Sequence, residues 1–260
     1  FIVLNKKIFN FVDRKIKSEK IGKELLIYSY PLLFSSALWI LSSWIDSFMI
    51  GFYLSEDNVC VYNIAFSSSS LITLFLASLV TLFIPVVSGL LSKKDVEGIK
   101  EIYSRTARWN FLVGSLMFVF LFIFAEHILS FFFGAEYILG AVAMRFLLIG
   151  FFLAISIGYG EHMVMAYGKT KLSLYARLIS ISSNILLNVL LIPIYGIIGA
   201  AIATSISFFL LYLILLIFVK RKIGMLPFNK LYWKSMLSFA ISLVLVLVLL
   251  GILQKVSFFY

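Results

Sequence analysis

Seven long apolar stretches constrain this chain more than any other feature, at residues 25–54, 61–91, 109–133, 141–166, 173–192, 197–219 and 235–253. Each approaches or exceeds the roughly 20 residues that an α-helix needs to cross a hydrocarbon core about 30 Å thick. A helix satisfies its own backbone N–H and C=O groups, and it is the only open-ended element that does so in lipid. The expected fold is therefore an all-α polytopic membrane protein with about seven transmembrane helices packed as one bundle. Composition agrees, since only 13% of residues are charged, where soluble domains carry about 25%. The single cysteine, Cys60, excludes an internal disulfide and a zinc site built from several thiolates. No metal motif is present and no cofactor is expected.

The basic residues lie almost wholly on alternate connections. Seven precede the first stretch (Lys6, Lys7, Arg14, Lys15, Lys17, Lys20, Lys23), and five fall between the second and third (Lys93, Lys94, Lys100, Arg105, Arg108). Three fall between the fourth and fifth (Lys169, Lys171, Arg177), and five between the sixth and seventh (Lys220, Arg221, Lys222, Lys230, Lys234). That places 20 of the 22 Lys and Arg on one side and leaves Arg145 and Lys255. Basic residues near helix ends stay on the cytoplasmic side, so a multi-pass protein of the cytoplasmic membrane is expected, with its start inside and its end outside.

The expected organisation is a basic amphipathic cytoplasmic linker (1–24), a membrane region (25–219), a basic cytoplasmic loop (220–234), and one further helix with an external tail (235–260). Topology accounts for the net charge of +10 without nucleic acid. A basic inner face also attracts anionic lipid headgroups or a diphosphate-bearing substrate. Ile8, Val12 and Ile16, and again Val96, Ile99 and Ile102, recur at helical spacing among charged residues. Such segments are expected to lie on the cytoplasmic surface. The chain opens on Phe1, and FIVLNKK runs apolar residues into positive charge as if leaving a preceding membrane helix. A longer polypeptide is expected, targeted by its spanning helices, because this end lacks a signal-peptide pattern.

An ionisable or strongly polar side chain inside the membrane marks a functional site by default, because burying a charge there costs about 2.5–3.5 kcal/mol or more. Asp46 lies about two turns inside the first stretch, facing either a cavity for cation or proton coupling or a structural hydrogen-bond partner. Asn184 and Asn188, four apart, continue the face of Arg177 and Ser180 as a polar stripe, either lining a cavity or bonding a neighbouring helix. Ser70 and Thr73 belong to a hydroxyl-rich face of the second stretch. Glu161 and His162 sit near the inner end of the fourth, as a gate or coupling pair or as a satisfied interfacial pair. Arg145, near its outer end, either serves the cavity or snorkels to the interface. Gly196, Gly199, Ala200, Ala203 and Thr204 give a small-residue packing face. Pro31, Pro85 and Pro193 fall near helix ends, with Pro85 a candidate bend.

Tyr167-Gly168-Lys169-Thr170-Lys171, Asn184-Ile185-Leu186-Leu187-Asn188 and the run Leu191–Thr204 (LIPIYGIIGAAIAT) closely resemble the polysaccharide-transporter, or O-antigen flippase, branch of the multidrug/oligosaccharidyl-lipid/polysaccharide exporter superfamily. Asp46-Ser47-Phe48-Met49-Ile50-Gly51, Phe83-Ile84-Pro85 with Ser88, and Phe133-Gly134-Ala135-Glu136-Tyr137 resemble the first hairpin, second helix and outer loop of a lobe in that branch. The resemblance implies flipping of a lipid-linked oligosaccharide by alternating access, for polysaccharide or cell-surface glycan assembly. Members have two six-helix lobes, so it implies here the C-terminal lobe plus one extra helix. The implied partners are the lipid-linked oligosaccharide, membrane lipids, and either a missing N-terminal lobe or a second copy.

Three alternatives stand beside this reading: a cation-coupled multidrug exporter of the same superfamily, a half-transporter fragment without function, and a membrane-embedded glycan polymerase or ligase. The last would need a positioned acid or base near the outer face, where only Glu56, Asp57, Glu126, His127 and Glu136 are available. The half-cavity of a lone lobe is expected to leave Asp46, Asn184 and Asn188 without partners.

Overall fold

Ten α-helices and two short 3-10 segments make up the computed structural model, which describes residues 22–157 and 159–257. In chain order they are α1 (Gly22–Tyr53), α2 (Glu56–Ser70), a 3-10 turn (Leu71–Thr73), α3 (Leu74–Ser92), α4 (Val96–Ile123) and α5 (Ala125–Phe133). A second 3-10 segment (Ala135–Gly140), α6 (Ala141–Ile157), α7 (Gly160–Ala166), α8 (Thr170–Tyr195), α9 (Ile197–Ile223) and α10 (Lys230–Ser257) complete the fold. The amphipathic reading of Ile8, Val12 and Ile16, and the tail past residue 257, lie outside the described residues. Among the described residues five helices are long and apolar enough to cross a membrane, or six when α2 and α3 count as one broken span. The seventh apolar stretch falls within α10, a helix of 28 residues.

Several boundaries differ from the sequence reading, each for a local reason. Val96, Ile99 and Ile102 do not form a separate surface helix. Asp95 caps α4 by accepting from the Gly98 N–H at 2.9 Å, and no breaker interrupts the run to Ile123. The third stretch does not continue to Phe133 as one helix; it breaks at Phe124, and α5 packs Ala125 and Leu129 into the core by itself. The second stretch breaks at the 3-10 turn Leu71–Thr73, the segments Glu56–Thr73 and Ala77–Ser92 differ in direction by 44°, and α3 runs through Pro85 without interruption. Pro31 likewise lies well inside α1. The fourth stretch divides into α6 and α7. Between α8 and α9 the chain turns at Gly196 alone, whose φ of 58° suits glycine. At the end of α9, Gly224 (φ 79°) donates its N–H to the carbonyls of Val219 (3.1 Å) and Lys220 (3.2 Å), a Schellman-type stop.

Helix α6 runs through the middle of the bundle, with Ala143, Met144, Leu147 and Leu148 fully buried against α2, α4 and α9. Helix α9 packs on α8, and α8 on α1. Small residues set the α6–α9 approach: a Cβ on Gly150 would lie 2.5 Å from Ser205 Cα. Nearby, Ala200, Ala203 and Thr204 of the small-residue face are buried. Helix α10 is anchored through Tyr232, whose ring packs tilted against Phe111 of α4 (5.4 Å between ring centroids) and whose hydroxyl donates to the Ser156 carbonyl of α6. The outer surface is apolar, with Phe48, Leu116 and Phe131 strongly exposed, as expected where lipid is the solvent.

Candidate functional site

The intramembrane acid lies at the centre of a hydrogen-bond cluster drawn from four helices. Asp46 of α1 is only 4% exposed. Its Oδ1 accepts from Asn188 Nδ2 of α8 at 2.7 Å, and its Oδ2 accepts from Tyr62 Oη of α2 at 2.7 Å and from Thr204 Oγ1 of α9. Asn184 Nδ2 donates to Thr204 Oγ1 at 3.1 Å, and Asn188 Nδ2 also reaches Asn184 Oδ1 at 3.2 Å. A neighbouring clamp from Ser47 Oγ to Asn63 Oδ1, at 2.7 Å, fixes α1 against α2. Three donors converge on the carboxylate and Asn184 backs the Thr204 hydroxyl, the pattern that stabilises an ionised acid out of water. The expectation that Asp46, Asn184 and Asn188 would lack partners within a single lobe is therefore overturned. The α8 stripe packs between α1 and α9, so these residues are one another's partners.

Two features give this cluster chemical capacity. Among the described residues the buried Asn188 Oδ1 has no hydrogen-bond partner. A cavity of about 10 Å³ touches Asp46, walled by Trp39, Phe66, Thr204 and Phe208, which is about the room of one water molecule. The cavity's polar lining, Asp46, Ser42, Ser43 and Thr204, carries only carboxylate and hydroxyl oxygens, a hard-oxygen set that suits a proton or a small hard cation rather than a soft metal. Among the described residues no group of three His, Cys, Asp or Glu is placed to hold a metal ion.

Trp39, Phe66 and Phe208 also wall a larger cavity of about 370 Å³, which is where the structure places Ser70, Thr73 and His162. Its lining is mainly apolar and aromatic. The Ser70 and Thr73 hydroxyls are turned back onto the Ser67 and Ser70 carbonyls at 2.7 Å, so they offer the cavity little beyond oxygen lone pairs. His162 packs against Tyr159, with 5.6 Å between ring centroids. Among the described residues it makes no hydrogen bond to Glu161.

Glu161 instead bonds Arg177 Nη2 at 2.6 Å and Ser173 Oγ at 2.7 Å. The sequence reading counted Arg177 among the cytoplasmic connection charges, but the structure buries it to 8% exposure with its guanidinium 5.3 Å from the Trp39 ring centroid. Arg177 is the site residue that sequence reasoning undervalued. Its spacing from Ser173, Ser180, Asn184 and Asn188, all buried on α8, was the signal available. Arg145 stays apart from these groups: it bonds Glu126 Oε1 at 3.0 Å and the Phe122 carbonyl at 3.3 Å, near the opposite end of α6.

The MatE family model matches residues 31–190, from α1 into α8. The chain belongs to the MatE family. As a MatE chain it is 28% identical over 199 residues to the probable low-salt glycan biosynthesis flippase Agl15 of Haloferax volcanii, a match covering 75% of this chain and 41% of that protein. It is 25% identical over 206 residues to the capsular polysaccharide biosynthesis protein CapF of Staphylococcus aureus, covering 76% of this chain and 50% of the relative. The chain thus spans half or less of the length of these relatives. In fold it is similar to a MATE crystallised in the bent conformation (TM-score 0.66, 18% identity, 80% of this chain and 47% of the other). It is also similar to an outward-facing multidrug resistance MATE transporter (TM-score 0.62, 18% identity, 83% and 50%). The family read from residues 167–204 and their companions is borne out: this is a multi-pass α-helical membrane protein of a transporter family.

Proposed function

We propose that this chain supplies one lobe of a flippase that moves a lipid-linked oligosaccharide across the cytoplasmic membrane by alternating access, with the Asp46 cluster as its coupling site. The carrying observation is a buried carboxylate on one helix held by donors from three others beside a one-water cavity. Loading it with a proton or cation removes the reason for those donors to converge, and so biases how α1, α2, α8 and α9 pack. The names of Agl15 and CapF, both concerned with glycan assembly, support the oligosaccharide substrate. The second lobe comes from the portion of the relatives this chain does not span, or from a second copy.

The test is reconstitution in vesicles with a fluorescent lipid-linked oligosaccharide, with and without a proton or sodium gradient. Gradient-dependent movement abolished by Asp46→Asn is the expected result. Transport of organic cations with no movement of the lipid-linked sugar would replace this reading with the drug-exporter one. Movement unaffected by Asp46→Asn would remove the coupling role.

A further inference from the structure

A surface depression of about 550 Å³ lies at the lysine-rich end of the bundle, among the start of α1, the α7–α8 turn and the end of α9. Ile27 and Tyr28 wall it on one side, Lys169, Thr170 and Lys171 on another, and Lys222 closes the third. Its walls are fixed to one another: Tyr28 Oη donates to the Met165 carbonyl at 3.3 Å, and Thr170 Oγ1 donates to the Tyr28 carbonyl at 3.2 Å. The turn that presents Lys169 and Lys171 is itself pinned, with Gly168 at φ 68° and the Lys169 N–H bonded to the Val164 carbonyl at 3.0 Å. The Lys171 ammonium rests 5.8 Å from the Tyr30 ring centroid.

Three ammonium groups around one depression repel each other unless something negative is present. The chain after Glu161 supplies nothing of that kind. Residues 162–260 contain nine Lys and Arg and no Asp or Glu. Among the described residues, the ion pairs are Arg105–Glu101, Arg145–Glu126 and Arg177–Glu161, and none involves these lysines. Basic pockets between helices on the inner side of a membrane take anionic lipid headgroups. From the depression an apolar surface continues along α1, where Leu25, Leu26, Ile27, Leu33 and Phe34 are exposed.

We propose that this depression binds the phosphate of an anionic phospholipid headgroup, held by Lys169, Lys171 and Lys222, with its acyl chains lying along the exposed side chains of α1. The phosphate supplies a counter-charge, and the apolar surface distinguishes a lipid from a soluble phosphate.

The full chain in nanodiscs of phosphatidylcholine containing a minority of phosphatidylglycerol would be extracted into detergent, and its retained lipids measured by native mass spectrometry. Retention of phosphatidylglycerol over phosphatidylcholine is expected, weakening about fivefold for each lysine replaced in a Lys169→Gln, Lys171→Gln, Lys222→Gln series. A charge-matched variant, Lys93→Gln with Lys230→Gln and Lys234→Gln, alters none of the lining residues and should retain the lipid as the unsubstituted chain does. Equal loss in both triple variants would reduce the effect to the general basic field and overturn the site. So would absence of any preference for phosphatidylglycerol. Full displacement by millimolar inorganic diphosphate would show a soluble-phosphate site, and preferential retention of a polyprenyl diphosphate a substrate site; either result overturns the assignment.

Discussion

Asn188 Nδ2 on α8 meets Asp46 Oδ1 on α1 at 2.7 Å, joining residues 142 positions apart in a fully buried setting. With Tyr62 and Thr204 completing the shell, replacement of the acid has separable consequences for stability and transport. Asp46→Asn preserves shape but sets an amide N–H against at least one of the inward-pointing donors, with an expected cost of about 1–3 kcal/mol. Tyr62→Phe removes one of three donors to the carboxylate and should cost about 1.5–3 kcal/mol. Thermal unfolding in detergent would measure both losses while both variants still insert in the membrane. Transport by Asp46→Asn should fall by far more than its folded fraction does, and a parallel fall in the two would make Asp46 purely structural.

The Glu161–Arg177 pair predicts a non-additive mutant cycle. Removing one charge strands the other in a nearly dry setting, so Glu161→Gln or Arg177→Met alone should cost about 3–5 kcal/mol. The double replacement should recover part of that loss, with a coupling of at least about 0.5–3 kcal/mol. Additive losses in chemical denaturation would mean that Trp39 and Ser173, rather than the opposing charge, hold each residue.

Gly150 and Gly89 make a matched pair for packing. A side chain at Gly150 runs into the backbone of Ser205, while a Cβ at Gly89 meets nothing within 4 Å. Gly150→Leu should therefore lower stability by about 1–3 kcal/mol or more through overpacking, whereas Gly89→Ala should be neutral or slightly stabilising, because glycine costs about 0.5–1 kcal/mol within a helix. Equal melting temperatures for the two variants would contradict the tight α6–α9 contact.

Cys60, exposed in the first turns of α2, is a native reporter of orientation. With the lysine-rich connections inside, a membrane-impermeant maleimide added to intact cells should label it, and Cys60→Ser should abolish the signal. Labelling that appears only after the inner face is opened would invert the topology.

The residues alone determined the fold class and the family. Long apolar runs leave a chain few options in lipid other than spanning helices, and the 167–204 motifs carry the family pattern in consecutive positions. The sequence also marked Asp46, Asn184 and Asn188 as residues too costly to bury idly. Which groups satisfy them was decided by tertiary structure, since the partners of Asp46 lie 16 to 158 positions away and come together only when α1, α2, α8 and α9 pack. The helix breaks at Leu71–Thr73 and Phe124 escaped the sequence reading because no proline or glycine lies within either break, and hydropathy is blind to a change of direction between equally apolar turns. Arg177 escaped it for the opposite reason: near a helix end, charge reads as topology. Only the packing of α8 against α1 and α7 turns that charge inward, onto Glu161 and Trp39, where the desolvated guanidinium needs both an anion and an aromatic face to remain.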